Sequence, residues 1–191
     1  MLETDRLIIR KFTSKDLDAL FSILSDEEVN KYLPWFTIKT LEEAEVFLYE
    51  RYINFDFDIN SYKYAVCRKE NNIPIGYINF YNNEDDNDFG YAIKKEYWNR
   101  GIITEACNRV ILELKNNNIK YITATHDINN IASGKIMNKI GMNYCYTYEE
   151  LWQPKNIKVF FRMYQLNLDG VKNRVYKGYM NKYQNSFIEI I

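Results

Sequence analysis

Between residues 97 and 106 the chain reads Tyr97-Trp98-Asn99-Arg100-Gly101-Ile102-Ile103-Thr104-Glu105-Ala106, a junction where an apolar strand hands over to an amphipathic helix. The strand side is Asp88-Phe89-Gly90-Tyr91-Ala92-Ile93. On the helix side Ile103, Ala106, Cys107, Val110, Ile111 and Leu114 recur at spacings of three and four residues. That spacing predicts a helix beginning near Ile102. Its first backbone N–H groups lack intrahelical partners and carry the positive end of the helix dipole, so a pyrophosphate placed there accepts several hydrogen bonds at once. Gly101 lets the backbone approach such a ligand with no Cβ between them. A plain strand-to-helix turn, with Thr104 and Glu105 serving the helix terminus, accounts for the same residues, and Arg100 is either a phosphate partner or a solvated charge. A second pair, Asn130 and Ser133, lies one turn apart on one face at the start of another helix, where Asn is also a good cap. Glu84, Asp85, Asp86 and Asp88 form an acidic run, a pattern usually found on solvated faces.

The elements that must position these groups follow from periodicity. Residues 6–12 read as a strand, and Thr13 or Ser14 caps a helix with Leu17, Leu20, Phe21 and Leu24 on its apolar face. Residues 26–33 read as a short helix ended by Pro34, and Thr40 with Glu43 forms a capping box before Ala44, Phe47, Leu48 and Arg51. Residues 62–68 and 74–81 are strands joined across Glu70-Asn71-Asn72, and residues 88–93 form the next strand after a polar loop. Residues 119–125 are a buried strand, 130–140 a helix stopped by Gly141, and 142–149 and 159–168 a closing strand pair. The result is an α/β (α+β) chain with one mixed sheet and helices on both faces.

At 191 residues the chain is long enough for one core without disulfides or metals, and no Pro, Gly or Ser-rich linker divides it. A formal charge of -1 argues against nucleic acid as partner. Cys67, Cys107 and Cys145 read as reduced thiols, with no base beside Cys107 or Cys145 to make a nucleophile. His126 is the only histidine and reads as structural, so a Zn site lacks ligands. No segment has the length and apolarity of a membrane span, and Glu3 and Asp5 are out of place in a signal peptide, so the expected compartment is the cytoplasm. A nucleotide-phosphate loop is disfavoured because no Gly-Lys-Ser or Gly-Lys-Thr is present.

Residues 89–106, followed by Asn130-Ile131-Ala132-Ser133 and Asn138-Lys139-Ile140-Gly141-Met142, resemble the GNAT acyltransferase superfamily. The opening Leu2-Glu3-Thr4-Asp5-Arg6-Leu7-Ile8-Ile9-Arg10 is similar to the branch that includes the N-terminal acetyltransferases of ribosomal proteins. The resemblance covers residues 1–168 as one acetyltransferase domain and leaves residues 169–191 as an extension. It implies a mostly antiparallel sheet splayed at the cofactor site, with the pantetheine arm of acetyl-CoA in the gap. Carried over, Tyr91, Ala92 and Ile93 offer backbone hydrogen bonds to that arm, and Asn99, Arg100, Gly101, Ile102, Ile103 and Thr104 hold the pyrophosphate. Asn130 contacts the pantetheine, and Ser133 lies by the thioester sulfur to stabilise or protonate the departing thiolate.

Two departures stand out. Ile103 occupies a place where the family has Gly or Ala, and its branched side chain is expected to narrow the approach. Met137 replaces the tyrosine acid found four residues after Ser133 in many relatives, leaving Tyr144, Tyr146 or Tyr148 as substitutes if one faces the gap. An amine must lose its proton before it can attack a thioester, and Asp88 sits where relatives often carry Glu; Glu149 and Glu150 are the alternatives as base.

The implied activity is direct transfer of the acetyl group to a primary amine in a ternary complex. The acceptor is either a peptide N-terminus or a small amine such as a polyamine, an amino acid derivative or an aminoglycoside, and the acidic run favours a cationic one. The alternative, motivated by Ile103 and Met137, is a non-catalytic acyl-CoA-binding regulatory module. Trp35, Phe36, Tyr49, Tyr52, Phe55 and Phe57 are expected to shape an acceptor slot as well as core. In the extension, Tyr176, Tyr179, Met180 and Tyr183 have helical spacing and residues 187–191 look strand-like, covering either the acceptor site or the surface of a homodimer.

Overall fold

Arg10, Thr13 and Asp16 show how local chemistry starts the fold. Asp16 accepts from the Thr13 backbone N–H at 2.7 Å and from both terminal nitrogens of Arg10 at 2.7 and 2.9 Å. This box opens a 3-10 turn, Ser14–Asp16, that runs into helix α1, Leu17–Leu24, whose Leu20, Ile23 and Leu24 are buried. The computed structural model describes residues 1–54, 61–82 and 86–190. Helix α2, Leu41–Leu48, is capped by Thr40, which accepts from Glu43 N at 3.2 Å, while the Glu43 carboxylate reaches back to Lys39 N at 2.7 Å.

The helix expected over residues 26–33 is instead a run of turns. The side chains there compete with the helical ladder: Asp26 Oδ1 accepts from Glu28 N and Val29 N, and buried Asn30 donates to the carbonyls of Ile23 at 2.7 Å and Asp26 at 2.8 Å.

Five strands form the first sheet, in the order β1 (Leu2–Glu3), β2 (Leu7–Arg10), β3 (Ser61–Arg68), β4 (Pro74–Tyr81) and β5 (Phe89–Ile93), every pair antiparallel. Helix α3, Ile102–Asn116, then leads to β6, Tyr121–Asp127, and helix α4, Ile131–Lys139, to β7, Asn143–Trp152, and β8, Ile157–Asn167. These last strands make a second antiparallel sheet, ordered β6-β8-β7 and extended at its edge by β9, Ser186–Phe187. The sheet, expected to splay at the cofactor site, is parted there into two, which among the described residues are joined by a single parallel bridge between Asp88 and Thr123.

Three packed clusters follow from strand alternation. Helices α3 and α4 cover one side of both sheets, burying Ile103, Val110 and Met137 against Phe80, Phe89 and Ile122. Helices α1 and α2 cover the other side of the first sheet over Ala65, Tyr77 and Ala92. On the corresponding side of the second sheet, Tyr146, Tyr148 and Phe161 pack against the chain's own C-terminal residues, including a short helix α5, Gly178–Lys182. From there β9 passes along the β7 edge, and Glu189 ends on the far side, paired with Arg162 at 2.5 Å.

Candidate active site

The gap between the sheets opens immediately beyond Asp88. Thr123 N donates to Asn87 O at 3.0 Å and Asn87 Nδ2 to Tyr121 O at 3.1 Å, and past these bonds β5 and β6 share no ladder. Tyr81 N donates to Asp88 O and Lys94 N to Ile75 O, so antiparallel alternation turns the backbone of Gly90 and Ala92 toward β4 and that of Tyr91 and Ile93 toward the gap. The Ile93 carbonyl accepts from Trp98 Nε1 at 2.9 Å. Of the three residues expected to bind the pantetheine arm, Tyr91 and Ile93 present edge groups and Ala92 spends its own on the sheet. A free strand edge is a natural partner for the amides of an extended ligand.

At the wide end of the gap, Asn99 and Gly101 adopt left-handed φ values of 58° and 70°, which turn the chain sharply into α3. No side chain caps this helix, so the N–H groups of Ile102, Ile103 and Thr104 are available to an anion. The Ile103 side chain is 6% exposed and lies in the core, so it does not narrow the approach. Arg100 is exposed, its guanidinium 5.8 Å from the Tyr97 ring centroid.

The loop is held by residues that sequence reasoning missed. Arg6 Nη1 donates to Arg100 O at 3.2 Å, and Arg6 and Thr4 both bind Glu105, with contacts of 2.5–2.7 Å. Burial alone would raise the Glu105 carboxyl, but these donors from Thr4 and Arg6 hold it below its usual range. No local pattern signals a contact that spans a hundred residues.

Asn130 caps α4, its Oδ1 accepting from Ser133 N at 3.2 Å. The Ser133 hydroxyl lies 3.1 Å from the Tyr91 hydroxyl, which also donates to Ser133 O at 3.1 Å. The Tyr91 side chain therefore spans the gap from β5 to α4, a role not read from the sequence. Burial pushes its hydroxyl far above the usual range, so it stays protonated. Met137 is buried in the core.

Asp88 belongs to the opposite side, since Phe89 beside it faces α3. Its carboxyl is pushed up to about 7, first by burial and then by the charge of Asp86. Tyr81, Tyr148 and Tyr179 all lie within reach of its field. Glu149 is not brought to this place. It follows Tyr148 on β7 and so faces the other way, bound by Asn185 at 3.1 Å and Lys158 at 3.5 Å; Asn185 first, then Lys158, keeps its carboxyl below the usual range. Among the tyrosines considered as acids, Tyr144 pairs with Thr147 at 2.9 Å and Tyr146 donates to Tyr176 O at 2.9 Å, whereas Tyr148 stacks with Tyr179 and Tyr183 and interacts electrostatically with Asp88.

On the side of the first sheet covered by α1 and α2, Asn79 donates to the Tyr52 hydroxyl at 3.3 Å, and Trp35, Phe47 and Tyr52 form a chain of ring contacts. Phe36 is largely exposed and Tyr49 lies at the surface. Phe55, Phe57, Glu84 and Asp85 lie outside the described residues. The three cysteines are free, and burial raises Cys67 and Cys145 to about 11 and Cys107 further, which leaves thiols and not thiolates. His126 is buried, its Nδ1 2.7 Å from Asp127 O, and burial lowers its pKa. Among the described residues no cluster of metal-ligating side chains occurs and no helix is long and apolar enough to cross a membrane.

Residues 6–143 match the family model described as the acetyltransferase (GNAT) domain. An uncharacterised N-acetyltransferase of Bacillus subtilis (strain 168), YnaD, is 35% identical over 145 residues, which are 74% of this chain and 81% of that protein. A GNAT-family acetyltransferase structure from Bacillus anthracis superposes with a TM-score of 0.75 at 27% identity, covering 88% of this chain and 98% of that one. The spermidine N-acetyltransferase of Vibrio cholerae, solved with CoA and spermine, has the same fold, with a TM-score of 0.73 at 15% identity over 86% of this chain and 97% of its own. An uncapped helix start facing a splayed strand edge suits the cofactor of these relatives, and the chain belongs to the GNAT acetyltransferases, acetyl-CoA-dependent enzymes.

Proposed function

We propose that this enzyme acetylates a cationic primary amine directly from acetyl-CoA in a ternary complex, with Asp88 as the base and Ser133 at the leaving sulfur. The observation that carries the reading is the placement of Asp88: a carboxyl raised to about 7, at the point where the sheets part, on the side away from α3. A base with a pKa near the working pH is the efficient one. Acetyl-CoA supplies an acyl group activated as a thioester. Asp88 takes one proton from the incoming ammonium, the amine nitrogen bonds to the acetyl carbon, the carbon–sulfur bond breaks, and the second proton on nitrogen leaves as the amide forms, balancing the one the thiolate takes up to become the free thiol. The Ser133 hydroxyl, within 3.1 Å of the Tyr91 hydroxyl, then donates to the departing thiolate. Tyr91 and Ile93 hold the pantetheine amides, and the start of α3 from Asn99 to Thr104 holds the pyrophosphate.

The acceptor side is rich in carboxylates and tyrosine hydroxyls, from Asp86, Asp88 and Glu150 to Tyr81 and Tyr148, a lining that favours a positively charged amine over a neutral one. Spermine in the Vibrio cholerae neighbour is such a molecule, and a peptide N-terminus, which the ribosomal-protein branch implies, is another. Residues 1–168 form the catalytic domain in this reading, with 169–191 as an extension of it, and free cysteines suit a cytoplasmic location. The test is thiol release from acetyl-CoA against short peptides beginning with Ser, Ala or Thr, polyamines and aminoglycosides. Turnover with one class identifies the acceptor, and no turnover with any cationic amine while acetyl-CoA binds overturns the reading.

A further inference from the structure

Tyr179 sits where the two sheets part. Its hydroxyl donates to Asp86 Oδ2 at 3.3 Å, and its ring stacks on Tyr148 with centroids 4.8 Å apart and planes 15° from parallel. Tyr183 stacks on Tyr148 as well, at 5.0 Å and 12°. The Asp86 carbonyl accepts from the Thr123 hydroxyl at 2.5 Å, so this one residue of the extension meets the connection into β5 at the point where it is tied to the second sheet. Its orientation is built in. Tyr176 meets its ring edge-on at 5.3 Å and fills the space that a Cβ on Gly178 would need.

We propose that the C-terminal extension is a working part of the acceptor site, in which Tyr179, held on Asp86 and Tyr148, is a positioning residue that limits the access of water to the half-buried Asp88 and sets the pH at which it accepts a proton. The proposal rests on Asp88 as the base. The titratable and charged groups that interact electrostatically with Asp88 among the described residues are Tyr81 from β4, itself influenced by Arg51, Asp86 from its own connection, Tyr148 from β7, itself influenced by Glu150, and Tyr179 from α5. Lys182 acts on Asp86 and Glu150 from the same helix. The wall is therefore aromatic and its nearest charge is negative, and both disfavour the carboxylate form. Removing the ring admits water and lowers the Asp88 titration; removing only the hydroxyl takes a donor from Asp86 and raises it.

The experiment is a carbon-13 NMR titration of the aspartate carboxyls in the full chain, with Asp88 assigned by Asp88→Asn. The expected midpoint is near 7 in the parent, lower by about one pH unit in Tyr179→Ala, and higher in Tyr179→Phe, which keeps the ring and its packing. Tyr183→Ala loosens the same stack without touching Asp86 and should leave the midpoint in place. Unchanged midpoints in both Tyr179 variants, or an equal shift in Tyr183→Ala, would overturn the proposal. The reading of Asp88 as base fails separately, if Asp88→Asn retains turnover and its dependence on pH.

Discussion

A carboxyl with its midpoint near neutrality is half ionised under ordinary conditions, so the rate should follow its titration. Only the ionised form takes a proton. kcat/KM should therefore be level above pH 7 and fall about tenfold per unit well below it, and Asp88→Asn should lower it by about 10²–10⁴-fold and abolish that acid limb. A pH–rate profile of the two proteins checks both statements. The two α4 residues should separate: Ser133→Ala lowers kcat more than acetyl-CoA affinity, whereas Asn130→Ala weakens acetyl-CoA binding and, by removing the cap on Ser133 N, costs about 1 kcal/mol of stability. Isothermal titration beside turnover measurements distinguishes them. The Asn130–Ser133 placement was legible because a cap and one helical turn are local facts. The use of the Tyr91 hydroxyl was not, because it depends on α4 being laid across the gap, 42 residues on. Ile103 is instructive: its place in the apolar stripe with Ala106 and Val110 already pointed it inward, and that local signal outweighs the motif comparison that set it in the cofactor's path.

Strands, turns and caps were readable wherever neighbours in sequence decide them, as with Thr40 and Glu43 or the turn ending at Asn72, whose φ is 56°. Residues 26–33 failed the same treatment because Asn30 spends its amide on two carbonyls, which periodicity does not reveal. The parting of the sheets was legible through the family resemblance, which implied a splay at the cofactor site, but not through periodicity, since β5 and β6 have similar apolar patterns and only their distance apart distinguishes a gap from a ladder. Close approach elsewhere is written in a single residue. A Cβ on Gly76 would overlap the Ala92 carbonyl oxygen and come within 3.0 Å of Ile93 Cα, both backbone atoms of the strand lining the gap. Gly76→Ala should destabilise the protein by roughly 1–3 kcal/mol, read from denaturant unfolding, and weaken acetyl-CoA binding as β5 is pushed aside.

Proton linkage ties the site to the stability of the whole molecule. Because folding raises the Asp88 carboxyl, the folded chain holds that proton more tightly than the unfolded one, and stability should fall as pH rises from about 4 to 7. Asp88→Asn removes this term, so it should raise Tm at pH 8 and leave it nearly unchanged at pH 4, in a protein that has lost its activity. Asp16 acts in the opposite sense: burial would raise it, but Arg10 and Thr13 hold it below its usual value, so its contribution is present above pH 4 and lost as pH falls through its folded-state midpoint. Thermal melts across this range read both slopes. The sheets themselves divide the chain without interleaving, residues 2–93 in the first and 121–187 in the second, with only the Asp88–Thr123 bridge between them among the described residues. A cut in the turn after α3, where Asn118 has a φ of 60°, therefore interrupts no hairpin and no sheet. Two separately made pieces, 1–117 and 118–191, would each keep their own strand partners, with the apolar face of α3 left to draw them together, so the molecule should behave as a two-part reporter in which recovered acetyl transfer signals reunion of the halves.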